Sequence, residues 1–131
     1  MYLLDTNICI YIINKRPESV IEKVKQYKPS QIKLSAISVG ELEYGVSKSK
    51  AREKNRTALI DFLSGFDILP FDDVDAEVYG LIRADLEKKG QIIGPYDMQI
   101  AAQAISKGLI IVTNNIGEFS RIDTLKIENW I

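Results

Sequence analysis

The chain opens with the stretch MYLLDTN, residues 1–7, and its fifth residue stands out from the four before it. Three apolar residues run directly into Asp5, which is followed by Thr6 and Asn7. A short buried strand that ends in a carboxylate places that charge at the rim of a sheet, where an unpaired charge is costly to bury. Because no cap or charge partner for it lies nearby in the sequence, Asp5 is the first candidate for a functional residue.

The length and composition of the chain limit the number of domains and indicate the cellular compartment. The 131 residues fit one compact domain, which we expect to cover residues 1–131. With 46% hydrophobic and 27% charged residues, the chain can bury a real core. No segment resembles a signal peptide, and no apolar run approaches the roughly 18 residues that span a bilayer, so we expect a cytoplasmic protein without membrane contact. Cys9 is the single cysteine, which excludes a disulfide framework and fits a reduced compartment.

The sequence contains no histidine. This absence excludes acid–base catalysis by imidazole, the serine–histidine and cysteine–histidine nucleophilic sites, and nearly all zinc sites. If the protein is an enzyme, its chemistry therefore depends on carboxylates, whose oxygen atoms suit Mg²⁺ or Mn²⁺. The net charge of −1 means that contact with nucleic acid requires local basic patches.

Short apolar runs alternate with helical periodicity along the chain. The predicted strands are residues 1–5, 31–36, 67–71, 109–115 and 125–130. The clearest predicted helix, residues 72–90, has an apolar stripe of Val74, Val78, Leu81, Ile82 and Leu86. Strands that alternate with helices predict an α/β domain with a mostly parallel central sheet flanked by helices. Ligands of such sheets bind beyond the carboxyl ends of the strands, where Asp5 and residues 113–115 lie.

Three more acidic residues lie at positions that fit either an ordinary structural role or binding of a metal. Glu41 completes the pattern Ser38-x-x-Glu41 of a helix capping box, Asp97 falls in the first turn of a predicted helix, and Glu118 falls in a predicted loop. Taken singly, each has an ordinary structural interpretation. Together with Asp5 they would converge at one edge of the sheet, and such a cluster repels itself unless a divalent cation neutralises it. We therefore expect a metal site, with helix dipoles keeping Glu41 and Asp97 ionised.

The segment KSKAREKNR, residues 48–56, is the only concentrated basic stretch. Such a run is either a solvent-exposed helix face or linker, or a contact for the phosphates of a nucleic acid. Lys48, Lys50 and Arg52 are the candidates for contact with RNA.

Four motifs together resemble a known family. They are LLDTN at residues 3–7, SVGELEYG at 38–45, IGPYDMQIAAQA at 93–104, and VTNNIGEFSRI at 112–122 followed by LKIENW. In this order and spacing they resemble the PIN-domain family, and specifically the VapC-type toxins of bacterial toxin–antitoxin pairs. The resemblance implies a Mg²⁺-dependent endoribonuclease, with Mn²⁺ as a substitute, that forms a homodimer and is held inactive by a cognate small antitoxin. It also implies a single-stranded or loop RNA substrate, tRNA among the candidates, cut to 5′-phosphate and 3′-hydroxyl ends.

The resemblance further implies roles for individual acidic residues. Asp5, Glu41 and Asp97 match the three main acidic positions of the family, so that Asp5 and Asp97 would bind Mg²⁺ directly and Glu41 directly or through a water. Many members carry an aspartate at the fourth position, for which this chain offers Asn115 or Glu118. We expect Glu118, with its longer reach, to join the catalytic set. Either it binds the metal through a water, or the site holds one ion firmly and a second ion only with RNA.

Neighbouring polar residues complete the implied site. Thr6, Asn7, Thr113 and Asn115 would orient waters or phosphate oxygens around the metal. Gln103 stands where many relatives have a histidine, and we expect it to matter for packing more than for chemistry.

Three other functions are compatible with part of the pattern. A phosphatase of the haloacid-dehalogenase type also begins with a strand that ends in Asp, but it needs a second Asp two residues later, where this chain has Asn7. A receiver domain has an acidic pocket, but its phosphoacceptor follows an inner strand and not the first one. A PIN fold that has lost catalysis would bind RNA or protein only.

Overall fold

The structure, a computed structural model, describes residues 1–131. The strands are β1 (Tyr2–Leu4), β2 (Ile32–Ser35), β3 (Asp67–Leu69), β4 (Ile110–Val112) and β5 (Ile127–Glu128). The helices are α1 (Thr6–Ile13), α2 (Glu18–Lys25), α3 (Ala36–Lys48), α4 (Arg52–Leu63), α5 (Asp73–Lys88), α6 (Pro95–Ser106) and the short α7 (Ile116–Phe119). None of these helices combines the length and the apolarity that crossing a bilayer requires.

The five strands form one sheet in the order β3-β2-β1-β4-β5, and every neighbouring pair is parallel. The predicted α/β fold with a mostly parallel central sheet is therefore confirmed. The first strand is the central one: Leu3 is in register with Lys33 of β2 on one side and with Ile111 of β4 on the other. The order of the strands reverses between β1 and β4, and such a reversal opens a crevice at the carboxyl ends of the two strands.

The alternation of side chains along the central strands divides the core into two layers. Leu3 and Ile111 face a cluster built mainly from α5 and α6. Leu4 and Val112, the next residue in each strand, face a second cluster built from α1, α2, α3 and α4. The sheet is thus buried on both faces, as its short and almost wholly apolar strands require.

Helix α3 begins three residues earlier than its sequence pattern indicates. Ser35 is the N-cap, and its hydroxyl oxygen accepts a hydrogen bond from the Ile37 backbone N–H at 3.0 Å. The predicted capping box Ser38-x-x-Glu41 is therefore wrong, because Ser38 is buried inside the helix. Glu41 consequently lies in the second turn, where the helix dipole no longer favours its ionised form as the sequence predicted.

Helix α5 begins with a capping box, and it buries a narrower apolar stripe than predicted. Asp72 and Asp75 form a reciprocal capping box with hydrogen bonds of 2.9 Å. Val78, Ile82 and Leu86 pack inward as predicted, whereas Val74 and Leu81 are 50% and 67% exposed. These last two lie two turns apart on one flank of the helix, and their predicted burial is wrong.

Candidate functional site

A cavity of about 1010 Å³ opens at the carboxyl ends of β1 and β4, where the order of the strands reverses. Its lining residues are Asp5, Thr6, Asn7, Ile10, Ala36, Ile37, Gly40, Glu41, Tyr44, Gly45, Lys48, Tyr96, Asp97 and Asn115. Three of the four predicted catalytic carboxylates thus line one cavity. The fourth, on Glu118 in α7, interacts with that of Asp97.

The Asp5 side chain is buried and held at both oxygen atoms. It is 4% exposed and forms the N-cap of α1, with Oδ1 accepting from the Thr6 backbone N–H at 2.8 Å. Oδ2 accepts from the Thr113 hydroxyl at 2.8 Å. The sequence therefore missed a capping role for Asp5. Burial raises the pKa of this carboxyl group, the two hydrogen bonds lower it, and the charges of Glu41 and Glu118 raise it further, so the net shift is upward.

Thr113 joins the ends of the two central strands. Its fully buried hydroxyl donates to Asp5 after β1 and accepts from the Asn115 backbone N–H at 3.0 Å after β4. The hydroxyl has a single proton, and it donates that proton in the hydrogen bond to Asp5. Thr113 therefore fixes the direction of a carboxylate, whereas the sequence had it orient a water or a phosphate oxygen.

Glu41 is held across the cavity by Thr6. The Thr6 hydroxyl oxygen lies 2.9 Å from Glu41 Oε1 and 2.9 Å from the Ser38 hydroxyl oxygen. Because a carboxylate can only accept, the Thr6 hydroxyl donates its proton to Glu41. The Ser38 hydroxyl can then donate to the Thr6 hydroxyl oxygen. Thr6 thus contacts Asp5 through its backbone and Glu41 through its side chain, which ties α1 to α3 at the site.

Asp97 is the carboxylate whose ionisation is most perturbed. It lies in the first turn of α6, which begins at Pro95, and is partly buried. Burial, then the charges of Asp5, Glu118 and Glu41, and a hydrogen bond with the Glu118 side chain raise its pKa to about 6. The four predicted carboxylates therefore act on one another as a single electrostatic group.

The donor atoms of this group are oxygens only, which is the set that Mg²⁺ prefers. Cys9 is fully buried in the core, and burial raises the pKa of its thiol, so it offers no thiolate ligand. No three acidic side chains are gathered closely enough to hold one ion between them. The site accordingly fits an ion that takes one or two carboxylates directly and completes its shell with water, as Mg²⁺ usually does.

The remaining predicted contacts divide between the cavity and the surface. Asn7 and Asn115 line the cavity, and so does Lys48, whose Nζ lies 4.9 Å from the centre of the Tyr44 ring. Lys50 and Arg52 are exposed and lie outside the cavity lining. The structure thus brings one of the three RNA-contact candidates to the site.

Gln103 has the packing role expected of it. It is fully buried; its Oε1 accepts from the Ser35 hydroxyl, and its Nε2 donates to the backbone oxygens of Leu69 and Pro70 at 3.2 and 3.1 Å. These bonds fasten α6 to the ends of β2 and β3, on the side of the sheet edge away from Asp5.

Sequence reasoning missed several residues that line the cavity. Tyr96 and Tyr44 contribute exposed aromatic rings, and Gly40 and Gly45 are positions of α3 that border the cavity without a side chain. The sequence did contain a signal for Tyr96. It directly precedes Asp97 in the first turn of a helix, so its ring had to lie close to the predicted site. The glycines gave none, because nothing local shows which face of a helix borders a cavity.

The sequence of residues 2–125 matches the family model described as the PIN domain. The chain belongs to the PIN-domain family. Ribonuclease VapC2 of Rickettsia felis is 47% identical over 131 residues, covering 99% of this chain and 98% of that protein. The tRNA(fMet)-specific endonuclease VapC of Salmonella typhimurium is 43% identical over 129 residues, covering 98% of this chain and 97% of that protein.

Solved structures agree with this assignment. The crystal structure of VapBC2 from Rickettsia felis, bound to a DNA fragment from its promoter, superposes with a TM-score of 0.93 at 46% identity and covers 99% of this PIN domain and 98% of that chain. The resemblance to VapC-type proteins inferred from the four motifs is therefore confirmed. Membership of this family excludes the dehalogenase-type phosphatase and the receiver domain.

Proposed function

We propose that this PIN-domain protein is a VapC-type toxin, a metal-dependent endoribonuclease neutralised by a cognate small antitoxin. The observation that carries the proposal is the coupled set of four carboxylates at the switch point of the sheet, three of them lining one cavity. A PIN fold that has lost catalysis has no use for four neighbouring carboxylates, because their repulsion does not stabilise the fold. Burial and then the charges of the other three carboxylates raise the pKa of Asp97 to about 6, and this destabilises the folded state near neutral pH.

We assign Asp5 and Asp97 as the direct ligands of Mg²⁺, with Mn²⁺ as a substitute, and Glu41 as the acceptor for a water of the metal's shell. When bound, the ion supplies activation of a water molecule and neutralises charge on the attacked phosphate. The chain prepares for this by fixing its carboxylates: Thr113 orients Asp5, and the Thr6 hydroxyl orients Glu41. Side chains that hold the ligands in this way commonly matter about 10–100-fold for affinity or activity.

In the proposed hydrolysis, Glu118, the neighbour of Asp97, accepts the proton that the attacking water loses. Water adds to phosphorus while the bond from phosphorus to the 3′ oxygen breaks, so the products carry a 5′-phosphate and a 3′-hydroxyl. The water loses a proton to a carboxylate oxygen of Glu118, which interacts with Asp97 and is not among the assigned ligands. The leaving 3′ oxygen takes a proton from solvent. Asn7 and Asn115 line the cavity with amide donors for phosphate oxygens.

We propose RNA with unpaired segments as the substrate class and initiator tRNA as the first substrate to test, because relatives carry the name tRNA(fMet)-specific endonuclease. Lys48 lines the cavity, and we assign it as the basic residue that contacts the RNA backbone beside the carboxylates. We also expect the protein to form a homodimer in solution.

The antitoxin has a suitable surface next to the cavity. An apolar groove of about 270 Å³ runs between α1, α3 and α4, lined by Ile10, Ile13, Leu42, Val46 and Leu59 among others. Glu41 borders both this groove and the cavity. An antitoxin helix lying in the groove can therefore extend a basic side chain, best an arginine, to the carboxylates and compete there with the metal.

Cleavage of initiator tRNA with Mg²⁺ and with EDTA tests the proposal. We expect cleavage with Mg²⁺ or Mn²⁺, and none in EDTA or in the Glu41→Gln variant. Glu43→Gln is the matched control, since Glu43 lies on the same helix but pairs with Arg56 at 2.6 Å outside the cavity, and it should cleave normally. Co-expression with a small gene encoded upstream should yield a stable complex that cleaves poorly. Full activity in EDTA would overturn the metal-dependent mechanism.

A further inference from the structure

The six tyrosines of the chain fall into two groups by their hydrogen bonds. Tyr2, Tyr11, Tyr27 and Tyr79 each bond through the hydroxyl to another side chain of the protein. Tyr44 and Tyr96 make no such bond, are 66% and 56% exposed, and are the two tyrosines that line the cavity. Neither ring packs against another aromatic ring. No aromatic ring of the protein therefore covers them, and only the Lys48 ammonium group lies over the Tyr44 ring.

The two tyrosines approach the carboxylates from different elements. Tyr96 directly precedes Asp97 in the first turn of α6, and Tyr44 lies one turn after Glu41 on α3. The rings thus border the cavity on two sides of the predicted reaction centre. Between them, α3 presents Gly40 and Gly45, at which an added Cβ would meet no atom within 4 Å. This wall is open enough for a planar group to approach a ring.

Charge next to the rings favours a nucleic acid over other aromatic ligands. The Lys48 ammonium group lies over Tyr44 at 4.9 Å from the ring centre, in the cavity lining. A base stacked on Tyr44 would bring its phosphate toward this cation. Stacking on an aromatic side chain needs a base that is not stacked in a helix, so the arrangement selects unpaired nucleotides.

We propose that Tyr44 and Tyr96 are binding residues that stack the two bases flanking the cleaved phosphate, and that they restrict the enzyme to unpaired RNA. This inference rests on the proposed ribonuclease function and adds the source of its preference for unpaired substrate. Tyr44 lies apart from the groove proposed for the antitoxin, since Val46 lines that groove and Tyr44 lines the cavity.

The test compares kcat/KM on one short single-stranded RNA for the parent and for Tyr44→Leu, Tyr96→Leu, Tyr44→Phe and Tyr96→Phe. Each leucine variant should lose about 5-fold to about 150-fold, the range for one stacked base, mainly through KM. The phenylalanine variants keep the ring and should retain the parent value within about threefold. Melting temperatures should stay close to that of the parent, because both side chains are exposed and pack against little.

A second RNA, lacking the two bases next to the cleaved bond, separates stacking from other effects. On this RNA the parent should cleave more slowly than either leucine variant cleaves the complete RNA, because both stacked bases are missing, and the leucine substitutions should add no further loss. Equal losses on both RNAs, or leucine variants that cleave like the parent, would overturn the inference. So would a loss of antitoxin affinity without a loss of cleavage, which would make the tyrosines a protein contact. A parent that cleaves no RNA at all would instead overturn the proposed function.

Discussion

Replacing Asp97 with asparagine removes one charge from the carboxylate group while it keeps the shape of the side chain. The pKa of about 6 means that the folded protein without metal holds a proton on Asp97 more tightly than the unfolded chain does. Stability is therefore lost as the pH rises from about 4 through about 6. Asparagine resembles the neutral form of the side chain, so the variant escapes this loss.

The magnitude follows from the same shift. One pKa unit corresponds to about 1.4 kcal/mol, so the rise from 3.8 to about 6 sets an upper limit of about 3 kcal/mol above pH 7. Partial solvation of the side chain reduces this figure, and a lost contact with the helix dipole opposes it by about 0.3–1 kcal/mol. We expect Asp97→Asn to be more stable than the parent by about 1–2 kcal/mol at about pH 8, and by almost nothing at about pH 4.

Trp130 provides the assay. It is the only tryptophan, is 5% exposed, and stacks on Tyr27 at 5.4 Å between ring centres, so its fluorescence reports unfolding of the core from a position outside the cavity lining. Asp73→Asn is the matched control, because Asp73 occupies the first turn of α5 outside the cavity. It should lose about 0.3–1 kcal/mol at about pH 8. Added Mg²⁺ should raise the melting temperature of the parent and leave that of Asp97→Asn nearly unchanged.

The result that refutes this reasoning is an Asp97→Asn variant less stable than the parent at about pH 8, like the control. Asp97 would then be a residue that stabilises a helix start, with no repulsion from the other carboxylates. A variant that is destabilised and still cleaves RNA would remove Asp97 from the site altogether.

Three further substitutions test individual contacts. Thr113→Val should lower kcat about 10–100-fold in a cleavage assay, because Asp5 loses the hydroxyl that orients it; unchanged kcat would mean that the backbone alone positions Asp5. Gln103→Leu should cost about 2–3 kcal/mol in urea unfolding yet leave kcat per folded molecule intact, since its bonds fasten the scaffold; a large fall in kcat would give it a catalytic role. Glu118→Gln should move the pKa of Asp97 down from about 6 in an NMR titration, because a charge and a hydrogen bond that raise it are removed, and an unshifted value would separate the two residues.

The fold and the convergence of the carboxylates could be predicted because they follow from patterns local to each segment. Short apolar strands between helical segments indicate a parallel sheet, and the carboxyl ends of such strands share one edge. Asp5, Glu41 and Asp97 consequently reach one cavity even though 92 residues separate the first from the last.

The errors arose where tertiary contacts override the local pattern. The local pattern indicates Ser38 as the N-cap of α3. In the structure, the N-cap is Ser35 at the end of β2, because its hydroxyl bonds both to the Ile37 backbone N–H and to Gln103 of α6. Glu118 was placed in a loop, yet it belongs to the one-turn helix α7 that interacts with Asp97. The stripe of α5 depends on where α6 lies, so Leu81 remained exposed although its spacing is that of a core residue.

The chemical ends of RNA cut by the purified protein show whether a water molecule at the carboxylate site attacks the phosphate. A short labelled RNA is incubated with Mg²⁺, and the products are identified by mass spectrometry beside those from the Asp5→Asn variant. We expect 5′-phosphate and 3′-hydroxyl ends from the parent and intact RNA from the variant, since water attack at the carboxylate site leaves those groups. Products with 2′,3′-cyclic phosphate ends, or cleavage by Asp5→Asn at the parent's rate, would contradict it, because the ribose hydroxyl would then be the nucleophile or the carboxylates would have no part in the reaction.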